Sequence, residues 1–359
     1  MKIIKSIILI GILFTFSIFN GNSIVKSEEL STEEELSDDM ILISDIYVND
    51  DANSNWYDSN HVKSIIEAVN IAKNDDQIFV FNGIYSESKI FIDKPVKLIG
   101  QNRENTIVNG IFYISKTSDV KIKGFTFKIN GYEPSEIFQS SNCIIEKNHF
   151  LSPDFLYGYD LLILFMSSGN CIKDNKFIDI NFESSASGIE LAWSSNHNTI
   201  INNEFLGLDV GYLVTSDFIA SNENLIIDNN FNGNEVGLGF TNSDSNIIKN
   251  NNFNGNECCM FLAMTKSNNI YNNNMINNEY GIQALWCVNN EPNLIYNNNF
   301  DNSIFNAYQF QGNGISWYNN YWADYTGEDK DGEGIGDTPY YFEENAKDDY
   351  PLMDPVEII

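Results

Sequence analysis

From about residue 120 onward, short apolar runs alternate with asparagine in a recurring frame. An apolar anchor, usually aromatic, returns at Phe127, Phe150, Phe177, Phe205, Phe231, Phe253, Met275, Phe300 and Tyr321, with spacings between 21 and 28 residues. Isoleucine stands five residues before it, at Ile122, Ile145, Ile172, Ile200, Ile226, Ile248, Ile270 and Ile295. Asparagine stands two before it, at Asn148, Asn175, Asn203, Asn229, Asn251, Asn273, Asn298 and Asn319. It recurs seven before it, at Asn170, Asn198, Asn224, Asn246, Asn268 and Asn293. Columns that survive insertions of changing length mark one repeated structural unit. The runs are short and lack a 3.6-residue period, so the unit is built of strands. Asparagine tolerates left-handed backbone and belongs at the bends. A parallel β-solenoid satisfies all of this. Equivalent residues then stack ~4.8 Å apart, and asparagine amides bond from coil to coil.

A second strand follows each anchor, clearest at 188–191, 211–214, 237–240, 259–262 and 281–284. Alternation points Ile189, Tyr212, Leu238, Met260 and Ile282 inward, with Leu191, Val214, Phe240, Leu262 and Ala284. Glu190, Leu213, Gly239, Phe261 and Gln283 form the outward row. Trp193 and Trp286 share one repeat position, at inward parity or at the corner, and core packing is expected ahead of ligand stacking for both. Near the start, Ile65, Ala68, Val69 and Ala72 fall at helical spacing, which predicts a short helix over 64–72 covering the first coil. Strands are expected at 78–81, 90–92 and 96–99. The fold class is all-β: a solenoid of about eleven coils, a rod ~50 Å long.

Composition adds a location and removes one class of partner. Acids outnumber bases 50 to 20 for a net charge of −30, so nucleic acid is excluded as a partner. Met1–Lys5 is basic, 6–19 is apolar, and Gly21, Asn22 and Ser23 are small or polar. That is a secretory signal with cleavage expected after Ser23. The alternative is an uncleaved anchor, the sole route to a membrane. Residues 27–39 hold seven carboxylates and no base, and read as a solvated tether. The expected organisation is signal 1–23, acidic linker 24–45, N-terminal cap and first coils 46–130, repeats 131–312 and C-terminal cap 313–359. The five cysteines (Cys143, Cys171, Cys258, Cys259, Cys287) lack metal or disulfide spacing and are expected as small buried thiols.

The stretch IIEAVNIAKNDDQIFVFNGIYSESKIFIDKPVKLIGQNRENTIVNG and the NxIxxNxF repeats resemble the NosD and CASH group of right-handed parallel β-helices. The run NNYWADYTGEDKDGEGIGDTPY resembles the tail of archaeal members. The resemblance implies a right-handed, pectin-lyase-like solenoid in an exported protein. Its functional implications diverge. Bacterial NosD proteins assist copper-site assembly in nitrous oxide reductase. CASH domains occur among carbohydrate-binding proteins and sugar hydrolases. Fold alone does not choose between them.

Three sets of residues carry candidate chemistry. Asp329, Asp331, Glu333 and Asp337, with the carbonyl of Ile335 and the turn at Gly334, space oxygen ligands around a hard cation. This predicts a structural Ca2+ loop, although Tyr340 stands where an EF-hand has its bidentate glutamate. Two consecutive long coils carry insertions after Phe150 and Phe177. They bring Asp154, Phe155, Tyr157, Tyr159, Asp160, Phe182 and Glu183 beside Glu190. Aromatic faces with carboxylates suit sugar rings. Tyr157, Tyr159, Glu183 and Glu190 are the expected glycan contacts, and Asp154, Asp160, Glu183 and Glu190 the candidates for any catalysis. His61, His149 and His197 are scattered, which speaks against copper. Arg103, the single arginine, is expected far from residues 154–190, so no lyase base is evident. The leading expectation is an exported, non-catalytic cell-surface protein that binds glycan or a protein partner. A polysaccharide hydrolase or lyase is the alternative, and a copper-assembly accessory a third.

Overall fold

The computed structural model describes residues 44–358 except 130–132, 153–159, 180–185, 215–218, 288–290 and 344–345. Each coil contributes one short strand to each of three parallel sheets. Sheet A contains the isoleucine file, as in Ile144–Glu146 and Cys171–Lys173. Sheet B contains the aromatic anchors, as in His149–Leu151 and Lys176–Ile178. Sheet C contains the longer strands, as in Asp160–Phe165 and Ser187–Ala192. The 11-stranded sheet B and 10-stranded sheet C make ten complete coils and a partial eleventh of a right-handed β-solenoid. Sheet A has 15 strands because further short strands extend it at both ends.

Stacked inward files, one from sheet A, one from sheet B and two from sheet C, fill the interior. Ile122, Ile145, Ile172, Ile200, Ile226, Ile248, Ile270 and Ile295 are fully buried and pair strand to strand. The anchor phenylalanines stack ring on ring, 4.8 Å apart from Phe150 to Phe177 and again from Phe205 to Phe231 and Phe231 to Phe253. Each such burial is worth about 2–3 kcal/mol, so the files hold the rod together. Ile189, Tyr212, Leu238, Met260 and Ile282 line sheet C's inner side as expected.

The anchor series corrects at its last member. Phe300 pairs with Trp322, not Tyr321, and Ile295 pairs with Trp317. Asn298 accordingly bonds to Asn320 rather than Asn319. Asn319 occupies the left-handed corner instead, at φ 55°. A one-residue slip turns every side chain to the opposite face, and Trp322, not Tyr321, brings the larger apolar area into the core.

Asparagine ladders run along three corners. At the A-to-B corner, Asn148 passes its Nδ2 and its backbone N–H to Oδ1 of Asn175, and the relay continues to Asn320. At the C-to-A corner, Asn170 begins the same relay down to Asn293. A third ladder, Asn234–Asn256–Asn278–Asn302, runs along the B-to-C corner. Its signal was present in the repeated Asn-Gly-Asn-Glu at 232–235 and 254–257. Each bond satisfies a buried polar group at about 1 kcal/mol net.

At the N-terminal end, α1 (Ile65–Ile71) takes Ser64 as its N-cap. The buried Glu87 carboxylate accepts the N–H of Ile65 at 2.7 Å and of Ile66 at 3.4 Å. Ile65, Ala68 and Val69 pack into the core. At the other end Trp322 stacks on Phe300 at 4.4 Å and on Tyr340 at 4.5 Å. No helix of the described residues is long and apolar enough to cross a membrane.

Candidate functional site

Sheet C is the sheet that the long coils lead into, and its outer face is the most varied surface of the rod. One outward row, matched strand for strand, runs Phe91, Tyr113, Glu136, Ile163, Glu190. Beside it rise Phe138 and Phe165. Together they form a staggered aromatic ladder: Phe91 to Tyr113 at 5.8 Å, Tyr113 to Phe138 at 6.1 Å, Phe138 to Phe165 at 5.8 Å and Phe165 to Trp193 at 5.6 Å. Phe91, at the open end, is 51% exposed. The Lys89 ammonium lies 4.5 Å above the Tyr113 ring and 2.8 Å from Glu133.

The carboxyls stand along this ladder. Asp160 is hydrogen-bonded to Glu190 and to Ser187. Its acidity is pushed well above the ordinary carboxyl range, first by burial and then by the Glu190 charge. Glu136 belongs to the same face, two strands from Glu190 along the row. Burial raises its pKa, opposed by Lys89 and reinforced by Glu133. Glu136 escaped the sequence reading because it lies in an ordinary coil, away from the insertions. Its outward parity in Ser135–Phe138 was the available signal.

Of the expected site residues, the structure brings Asp160 and Glu190 together. Asp154, Phe155, Tyr157, Tyr159, Phe182 and Glu183 lie outside the described residues. Trp193 and Trp286 are not core residues. Both take left-handed backbone at the C-to-A corner, with φ 54° at each, and Trp286 is 42% exposed with its Nε1 donating to Gln311. A corner turns its side chain away from the barrel, which overrides the preference of tryptophan for burial. Arg103 also corrects: its Nη1 reaches the Asp174 carbonyl at 3.5 Å, so it touches the long-coil region, but at the A-to-B corner rather than sheet C.

In the 329–337 loop the carboxylates turn to the loop's own backbone. Asp329 accepts the N–H of Gly332 and Gly334 at 2.8 Å each, and these donors hold its carboxyl below the usual range. Asp337 accepts from Lys330 at 3.0 Å, and Asp331 from Glu333 at 3.3 Å. Gly332 and Gly334 sit at φ 79° and 82°, where L side chains are strained. Backbone bonds from Gly336 to Pro351 and from Met353 to Gly334 tie the loop to the tail.

Residues 178–327 match the family described as "Periplasmic copper-binding protein (NosD)". No curated protein matches the chain. Among solved structures, the A-module of the mannuronan C-5 epimerase AlgE6 of Azotobacter vinelandii is 13% identical, over 71% of this chain and 87% of that one, at a TM-score of 0.49. The PL6-family alginate lyase AlyGC is 16% identical over 71% of this chain and 49% of its own length, at 0.48. A polygalacturonase from Erwinia carotovora is 9% identical over 78% and 95%, at 0.47. No functional argument rests on these likenesses.

The copper of that family's description can be tested against the donors in the matched region. Met260 and Met275 point into the core, Met264 is exposed at a corner, Cys258, Cys259 and Cys287 are buried, and His197 faces Glu223 at the surface. Burial pushes the Cys258 thiol up to about 12, which keeps it protonated. Copper needs thiolate, thioether or imidazole ligands that converge. Among the described residues, no group of three or more His, Cys, Asp or Glu side chains does so. The donor set does not fit copper.

Proposed function

We propose that this protein works outside the cytoplasm as a non-catalytic glycan-binding rod, with the outer face of sheet C as its binding surface. The observation that carries the reading is the ladder Phe91–Tyr113–Phe138–Phe165–Trp193 running beside Glu136, Asp160 and Glu190. Ring edges and the open face of Phe91 meet sugar C–H surfaces, and carboxyl oxygens accept sugar hydroxyls. The expected signal segment and the NosD match support the location.

Binding is favoured over hydrolysis by the carboxyl geometry. A glycosidase keeps its two carboxyls ~5–9.5 Å apart, to leave room for the sugar carbon and water. Asp160 and Glu190 are in direct hydrogen bond, so they position a ligand hydroxyl rather than flank a bond. A second reading rests on Glu136 and Glu190. They stand two strand spacings apart, about 10 Å, near the upper limit for an inverting pair.

The test is a glycan array with a reducing-sugar assay on the full chain. Binding that weakens at least tenfold in Phe165→Ala and Glu190→Gln, with no sugar released, supports the first reading. Turnover abolished by Glu136→Gln supports the second. A chain that retains no glycan at all loses both. We propose separately that Asp329, Asp331, Glu333, Asp337 and the Ile335 carbonyl hold a structural Ca2+. Their oxygen spacing supports this.

A further inference from the structure

The outer face of sheet A carries a second concentration of charge, on the opposite side of the A corner from the glycan face. Gln77, Lys97 and Lys121 are register neighbours in one row. Lys123, Glu146 and Lys173 are register neighbours in the next. The Glu146 carboxylate is buried and is held by three lysines at once: Lys121 at 2.8 Å, Lys173 at 3.1 Å and Lys123 at 3.7 Å. Lys147 follows directly, and its charge bears on Lys123. Asp174 lies beside Lys173 and is engaged by Asn202 at 2.6 Å, and Asp45 stands at the near end of the first row, where it accepts the Gln77 N–H at 2.9 Å. Lys97, Lys121, Lys123, Lys147 and Lys173 therefore gather with Glu146, Asp174 and Asp45, an excess of positive charge in a chain where acids outnumber bases 50 to 20.

Such a gathering is costly. Lys123 is only 13% exposed at its side chain, and burial together with the neighbouring ammoniums disfavours its charge. The interior does not require it, because the same two outward rows carry Thr199, Ile201, Leu225 and Ile227 further along. The excess positive charge on this face suits an anionic ligand, and a free polyanion approaches against a net charge of −30. A tethered one does not have to.

We propose that the ligand of this face is the chain's own acidic run, residues 27–39. That run has seven carboxylates and no base, and it ends five residues before Ser44. Ser44 accepts a hydrogen bond from Gln77 Nε2 at 2.9 Å, and Gln77 is the register neighbour of Lys97. Five residues span up to about 17 Å. Lys121 lies two strand steps from Gln77, about 10 Å, and Lys173 about 20 Å. The tether raises the local carboxylate concentration to the order of millimolar. An external anion reaches these lysines only by displacing the run. The proposal is independent of the glycan reading.

Zero-length carbodiimide coupling of the full chain, mapped by mass spectrometry, tests it. The expected products are amide links from Lys97, Lys121 or Lys173 to carboxylates of 27–39 within one chain. Their yield should fall several-fold at 1 M salt, where screening acts within ~3 Å. The double variant Lys121→Glu with Lys173→Glu should lose them. Adding Glu33→Lys, Glu34→Lys and Glu35→Lys should restore links of reversed polarity. Coupling confined to pairs of chains, shown by mixing isotope-labelled protein, overturns the proposal. So does an absence of links from these lysines, or tight binding of dextran sulfate at this face with the run intact.

Discussion

The carboxylate of Asp348 terminates the ladder that Asn320 carries to the end of the rod. Its Oδ2 accepts the Asn320 backbone N–H at 2.9 Å and the Asn320 Nδ2 at 3.0 Å, and also Nε1 of Trp322 at 3.1 Å. Its Oδ1 accepts the N–H of Tyr350 at 2.9 Å. Every earlier member of the ladder both accepts and donates. The last has nothing left to donate to, and an aspartate is an asparagine without the donor.

Asp348→Asn should therefore destabilise the C-terminal end, because an amide N–H2 then meets either the Tyr350 N–H or all three donors on the other oxygen. The expected cost is about 1–3 kcal/mol, and Asp348→Ala should cost more. Hydrogen exchange checks it: protection should fall first around Asn320 and Trp322, since neighbouring coils unfold semi-independently. Unchanged protection in both variants rules out this role.

Acidification should stabilise the protein between neutrality and about pH 5. Asp209, Glu235, Glu257 and Glu279 occupy one position on consecutive coils, each bonded through its backbone N–H to the coil before. The hydrogen bond to Asp209, then burial, then the charges of Asp209 and Glu257, raise Glu235 to about 7 from an ordinary 4.5. A group with a raised folded pKa contributes stability that is complete below its unfolded pKa and is lost as pH rises through the folded one. Denaturation midpoints should thus decline from pH 4.5 through 7, and Glu235→Gln should flatten that slope. An equal slope in the variant removes Glu235 as its source.

Tyr212→Phe should be neutral or stabilising by about 1 kcal/mol. Tyr212 is fully buried in sheet C's inner file, and its hydroxyl has no hydrogen-bond partner among the described residues. Removing an unpaired buried hydroxyl recovers its desolvation cost. A clear loss of stability on denaturant unfolding would show that the hydroxyl has a partner.

Gly237→Ala should cost about 1–3 kcal/mol by overpacking. A β-carbon there would lie 2.7 Å from the Cys259 carbonyl oxygen and 2.8 Å from the Phe253 ring, neither of which can retreat. Gly188 and Gly211 face the same two obstacles, the next coil's carbonyl and a stacked phenylalanine. The thermal midpoint of each variant measures this, and three unchanged midpoints contradict it.

Calcium should raise the thermal midpoint by several degrees if the 329–337 loop binds it, and Asp331→Ala should abolish that response. No shift with calcium or with EDTA ends the proposal. In that case the loop is held by its own backbone bonds to Asp329, Asp331 and Asp337 and by the ties to Pro351 and Met353.

The repeat, the inward isoleucine and phenylalanine files and two of the three asparagine ladders were legible in the sequence. Each rests on identical residues stacking on their own kind, so periodicity along the chain is contact in space. α1 was legible for a similar reason, since Ile65, Ala68 and Val69 need only local spacing to share a face. What failed at Tyr321, Trp193 and Trp286 was parity at a bend, where one residue in left-handed backbone decides which side the next faces. The candidate surfaces were less legible still. Glu136 joins Glu190, and three lysines gather around Glu146, only because residues one or two coils apart are brought within about 5–10 Å. The sequence alone determined that the chain winds, since like residues at a repeating interval find one another. Which carboxyls meet and which charges crowd together was decided by the winding itself, which sets outward side chains from distant segments side by side.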